Sequence, residues 1–130
     1  METSANNETL EGIKAFYPRT INEWRDWLAA NYNVETAVWL VLYHKNSKMP
    51  GITYDQSIEH ALCYGWIDSK AKKRDEQSSY LKFTPRKPSS NWSKSNIARV
   101  KRMIDGGYMT PAGQLMIDKA KNSGKWIEIE

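Results

Sequence analysis

Apolar residues recur at intervals of three and four from Ile21 through Trp24, Trp27 and Leu28 to Tyr32, and Thr20 and Glu23 stand before them at capping-box spacing. A first helix is expected over 21–32, with Asn31 and Asn33 suited to its end. The pattern then changes. Ala37 to His44 is a continuous apolar run rich in Val and aromatic residues, short enough to be a strand covered on both faces, so a strand is expected over 37–44. After the break at Pro50 and Gly51, Thr53 and Gln56 repeat the capping-box spacing. Tyr54, Ile58, Ala61 and Leu62 form one stripe closed by Gly65, which predicts a second helix over 54–64. At about 100° per residue, Glu59, His60 and Cys63 lie away from that stripe and are expected to face water, a partner or a site.

Two extended stretches, 66–73 and 79–86, flank the polar turn 74–78 and read as a hairpin. Pairing Lys73 with Ser79 puts Ile67, Ser69, Ala71, Leu81, Phe83 and Pro85 on one face and leaves Trp66, Asp68, Lys82 and Arg86 on the other. Side chains alternate along a strand, so a shift of one residue would mix the faces, and the clean separation favours this register. A loop through Pro85, Pro88 and Asn91 leads to a third helix over 94–105, capped by Ser93 and cored by Ile97, Val100 and Ile104. A fourth runs from Pro111, behind the cap Thr110, to Asn122. Trp126, Ile127 and Ile129 are too apolar for a free tail. Residues 1–12 are expected to be a loose polar leader to a single domain over 13–130. The expected class is α+β: a small antiparallel sheet of the 37–44 strand and the hairpin, packed with about four helices.

Composition adds one anomaly. Among the 130 residues are six Trp and seven Tyr but only two Phe, so aromatic rings that carry an N–H or O–H predominate. Charge adds another. Residues 70–102 hold 11 basic residues and two acids, a balance of +9 within a chain of net +4. An anionic partner is one reading of that asymmetry, and a solvated basic face is the other. The single Cys63 cannot form an internal disulfide, Met1 to Pro18 holds three Glu and no apolar run of the kind a signal peptide has, and the longest apolar run, Ala37 to Tyr43, is too short to span a membrane, so a cytoplasmic protein is expected.

The densest group of unusual residues is Tyr64-Gly65-Trp66-Ile67-Asp68, Phe83-Thr84-Pro85-Arg86 and Asn91-Trp92-Ser93. The expected register sets Trp66 opposite Arg86 and Asp68 opposite Thr84, where a cation–π contact and a carboxylate would present the guanidinium to a phosphate or carboxylate. Ser93 and Asn96, at a helix start with free N–H groups, extend an anion-binding face. The same set would equally brace the sheet by cross-strand packing. Lys and Arg interleaved with Tyr80, Phe83 and Trp92 also have the composition of a nucleic-acid surface, although the charges of the third helix ring it and form no stripe. His44, His60 and Cys63 are the only N or S candidates for zinc, which needs three or four ligands, so no metal or other cofactor is expected. Asp68 as a general base, or Cys63 activated by His60, are the enzymatic alternatives, and neither has partners at a known catalytic spacing.

The motifs Ala61-Leu62-Cys63-Tyr64-Gly65-Trp66-Ile67-Asp68, Phe83-Thr84-Pro85-Arg86, Trp92-Ser93 with Asn96, and Gly107-Tyr108-Met109-Thr110-Pro111-Ala112-Gly113, in this order, resemble those of the YdeI/OmpD-associated family of bacterial proteins. The resemblance spans about residues 16–126. It departs at Tyr108, where members often carry Arg. It implies a small cytoplasmic protein connected with bacteriocin protection and cationic-peptide resistance, and it carries over no catalytic residues. Direct capture of a cationic peptide fits poorly with the +9 segment. The expectation is a non-enzymatic protein that binds an anionic ligand through Trp66, Asp68, Arg86, Trp92, Ser93 and Asn96.

Overall fold

Strand β3, Val38–Tyr43, explains the architecture because it is buried on both faces. Successive side chains point to opposite sides, so Val38, Leu40 and Leu42 enter the main core while Trp39 and Val41 enter a smaller one. The computed structural model describes residues 8–126. In chain order the elements are β1 (Thr9–Leu10), β2 (Ile13–Phe16), α1 (Ile21–Asn31), β3, α2 (Tyr54–Leu62), β4 (Trp66–Lys73), β5 (Ser78–Pro85), α3 (Lys94–Asp105) and α4 (Pro111–Asn122). The strand order is β1-β2-β3-β5-β4. All four helices contribute to the main core on one face, through residues such as Trp24, Leu28, Ile58, Leu62, Ile97, Val100 and Ile117.

The α+β class stands, with four helices and one small open sheet. Two features depart from the expected antiparallel arrangement. The sheet has five strands and is mixed, because β2 pairs in parallel with β3 across the α1 connection. β1 and β2 form a hairpin through Glu11 and Gly12, both at positive φ, so Thr9–Leu10 is paired strand and not loose leader. Two consecutive left-handed residues make the tight turn whose twist suits a two-residue hairpin. Leu10 and Ile13 then pack on the second core, and the Leu10 carbonyl accepts a hydrogen bond from the Trp39 indole. Residues 1–7, with most of the expected leader, lie outside the described residues, as do Ile127 and Ile129.

Helix ends follow the caps. Thr20, Thr53, Ser93 and Thr110 each accept from the backbone N–H three residues on, and Thr53 with Gln56 closes a full capping box. Past α2, Gly65 turns the chain at φ +79, a region an L side chain rarely adopts. On α4, Gly113 has a different reason: a Cβ there would lie 2.4 Å from the Cys63 carbonyl oxygen, so α4 packs directly on the backbone at the end of α2.

The β4–β5 hairpin begins at its turn as expected, with Lys73 opposite Ser79 and Ala71 opposite Leu81. A bulge between Asp68 and Ala71 then shifts the pairing by one residue. Trp66 consequently faces Pro85 and Asp68 faces Phe83, where Arg86 and Thr84 were expected. The shift sends Trp66 inward. It is 1% exposed, its indole N–H donates to the Tyr32 carbonyl, and its ring meets that of Trp27 edge-on.

Candidate functional site

Of the six residues expected to form one face, three remain together. Arg86 lies just past β5, and its guanidinium stacks on Trp92, 4.0 Å from the ring centroid. Ser93 follows Trp92 as the cap of α3, and its hydroxyl oxygen accepts from the Asn96 backbone N–H. The Asn96 side chain turns to Arg99, accepting from its guanidinium at 2.9 Å, and is not aimed at Arg86. Trp66 belongs to the main core. Asp68, carried on the far side of the bulge from the turn, is half-buried, and its carboxylate makes no hydrogen bond or ion pair among the described residues. The expected Trp66–Arg86 stacking is therefore corrected to Trp92–Arg86, and among the described residues no carboxylate braces the guanidinium.

The surroundings of Arg86 are unusual for an arginine. The residue is 7% exposed, and its backbone N–H donates to the Gly65 carbonyl. One terminal nitrogen donates to the Asn91 carbonyl at 2.7 Å, while the buried Nε has no acceptor among the described residues. Burial pushes its pKa down. Trp92 is itself buried, packed against Trp126 and tied by its backbone N–H to the Lys125 carbonyl. The result is a buried indole platform under a buried cation.

Five of the ten other cations of the basic segment meet carboxylates among the described residues. Arg74 grips both oxygens of Glu8 at 2.8 and 2.9 Å and touches Asp75; Lys72 pairs with Glu11 and Lys73 with Glu76. Arg99 pairs with Asp55 and Arg102 with Glu59, tying α3 to α2. Four of these carboxylates come from outside residues 70–102, so the local excess visible in sequence is offset by acids brought in by the fold.

His60 and Cys63 do not face water. Both are buried, because α2 is covered on that side as well. Arg25 of α1 lies between the rings of Tyr64 and Tyr108 and meets His60 Nδ1 at 2.9 Å. Burial, reinforced by that guanidinium, pushes the imidazole pKa down, so the ring is neutral and Nδ1 is the acceptor. Burial likewise pushes the Cys63 thiol up, which makes it a poor nucleophile. Among the described residues no three His, Cys, Asp or Glu side chains are grouped as metal ligands. None of the described helices is long and apolar enough to cross a membrane.

Sequence reasoning missed one feature. His44 Nε2 and Ser79 Oγ stand 2.9 Å apart in a cleft of about 510 Å3 between the end of β3 and the start of α2. The signal was present, since pairing β3 with β5 brings the residues after Tyr43 beside Ser78 and Ser79, but it depends on a strand pairing that no local pattern specifies. No curated protein and no solved structure matches the chain. Residues 16–116, which include α1 to α3, the whole of the β4–β5 hairpin and the Arg86–Trp92 pair, match the family described as Domain of unknown function (DUF8412), and the chain belongs to that family.

Proposed function

We propose that this protein is a non-enzymatic binding protein whose ligand presents a phosphate or carboxylate to Arg86. The observation that carries the reading is the guanidinium itself, 7% exposed, with no carboxylate among the described residues and with Nε lacking an acceptor. A buried charge without a counter-ion costs several kcal/mol, and an anion that accepts from the guanidinium fork removes that cost with defined geometry. Trp92 supplies the flat support. The resemblance to YdeI/OmpD-associated proteins supports a cytoplasmic role in bacteriocin or cationic-peptide resistance, exerted indirectly through this ligand. Binding along a nucleic-acid backbone is less well supported, because Lys72, Lys73, Arg74, Arg99 and Arg102 already meet carboxylates. Catalysis by Cys63 is disfavoured by its burial.

Thermal unfolding in rising concentrations of inorganic phosphate, citrate and a nucleoside monophosphate tests the reading at constant ionic strength. The expected result is a saturable rise in Tm that Arg86→Met abolishes and Arg86→Lys weakens. An equal rise in wild type and Arg86→Met would remove the basis for the reading. A short RNA whose affinity falls steeply with salt would point instead to polyanion binding.

A further inference from the structure

Arg86 and the His44–Ser79 cleft sit at opposite ends of β5, about 23 Å apart at the usual rise of a strand. The cleft, about 510 Å3, falls within the range of small-molecule sites. Leu42 and Ile52 form its floor and are buried, while Met49 and Tyr54 stand at its edge, 44% and 55% exposed. Large apolar side chains left open around a concavity are the usual mark of a surface that another apolar body covers.

The polar groups define the other end of that body. Ser79 and His44 satisfy each other once only. If the Ser79 hydroxyl donates to Nε2, the imidazole proton is on Nδ1 and unused; if Nε2–H donates, the hydroxyl proton is unused. Either tautomer leaves one donor without an acceptor among the described residues. Lys45, next to His44 in the chain, adds a formal positive charge, and among the described residues no acid lines the cleft. Spare donors, one cation, no anion and an apolar floor together describe a site for an acid with a hydrocarbon or aromatic body.

We propose that this cleft binds a small organic carboxylate, with its oxygens at Lys45 and the His44–Ser79 pair and its apolar body on Leu42, Ile52, Met49 and Tyr54. The site is independent of Arg86. Calorimetric titration of the full chain with octanoate, octanol and octylamine tests it. Octanoate is expected to bind saturably and at least about tenfold more tightly than octylamine, the difference a charge-assisted contact supplies. Ser79→Ala is expected to weaken octanoate by about tenfold and Lys45→Ala by about threefold. Lys45 is exposed and outside any strand or helix, so its variant keeps the fold even if Ser79→Ala disturbs β5. Equal binding of octanoate and octylamine, or wild-type octanoate affinity in both the Lys45 and Ser79 variants, would overturn the proposal. Loss of octanoate binding in Arg86→Met would assign the carboxylate to the other site and overturn it as well.

Discussion

Arg74 and Arg86 mark the two ends of the β4–β5 hairpin and have opposite environments. Arg74 holds Glu8 with two hydrogen bonds, touches Asp75 and the Ser78 hydroxyl, and lies by the rings of Tyr43 and Tyr80. Hydrogen bonding to Glu8 raises its pKa, and the same contact is the main reason the Glu8 carboxyl is held below its usual value. Tyr80 donates to Glu8 as well. Arg86 has one carbonyl and one indole, and burial alone moves its pKa, downwards. The difference teaches that a basic segment is not a surface. At one end the charge fastens the N-terminal hairpin to the sheet; at the other it stands uncompensated.

The largest expected effect that sharpens this contrast is at Arg74. Arg74→Met leaves the largely covered Glu8 carboxylate without its cation and should lower stability by about 2–3 kcal/mol, measured by urea unfolding. Arg86→Met should have the opposite sign, raising ligand-free stability by about 1 kcal/mol, since an apolar chain of similar length replaces an unpaired buried charge on Trp92. A matching loss at both positions would break the comparison.

Acid should separate the two ends further. Because the folded pKa of Glu8 is depressed, its contribution is present above the unfolded value of about 4.5 and is lost as pH falls below it. Arg74→Met should remove that step, and Arg86→Met should retain it. His60 provides a second, milder step. Its folded pKa is depressed by burial and by Arg25, so stability is unaffected above the unfolded value of 6.5 and declines as pH falls below that towards the folded pKa. His60→Gln should flatten Tm between pH 7 and pH 5 relative to wild type, and an unchanged slope would mean that other groups carry it. The smallest effect is at Lys72, whose pair with Glu11 is exposed on both sides: Lys72→Ala should leave the urea midpoint nearly unchanged, and any loss should shrink at high salt.

What could be read from the chain was what is encoded locally. The four helices begin at the capping residues because a Thr or Ser hydroxyl satisfies an N–H three residues on, a short-range rule visible in any sequence. β3 was legible as a strand covered on both sides from its unbroken apolar run. The β1–β2 hairpin was not, because Glu11-Gly12 is a weaker turn signal than Asn-Gly and the paired segments are short. Alternation in the β4–β5 hairpin gave a self-consistent register that holds only from the turn to Ala71. A bulge adds one residue to one strand without altering composition, so it left no mark in the pattern. That single residue moved Trp66 from the expected site into the core and left Trp92 as the partner of Arg86. Pairing of Arg99 with Asp55 and of Arg102 with Glu59 was illegible for another reason, since it needs the packing of α3 on α2.

The bulge also governs how motion spreads along β4. Two short ladders, Trp66 to Asp68 and Ala71 to Lys73, meet at a break where Ser69 and Lys70 lack regular partners. Local opening that starts at the turn, where β4 is exposed, has a place to stop before it reaches the Gly65–Arg86 bond. In hydrogen exchange the β4 amides on the turn side should lose protection first and as a separate group. The hairpin then behaves as two hinged halves, and fraying at the Arg74 end leaves Arg86 seated on Trp92.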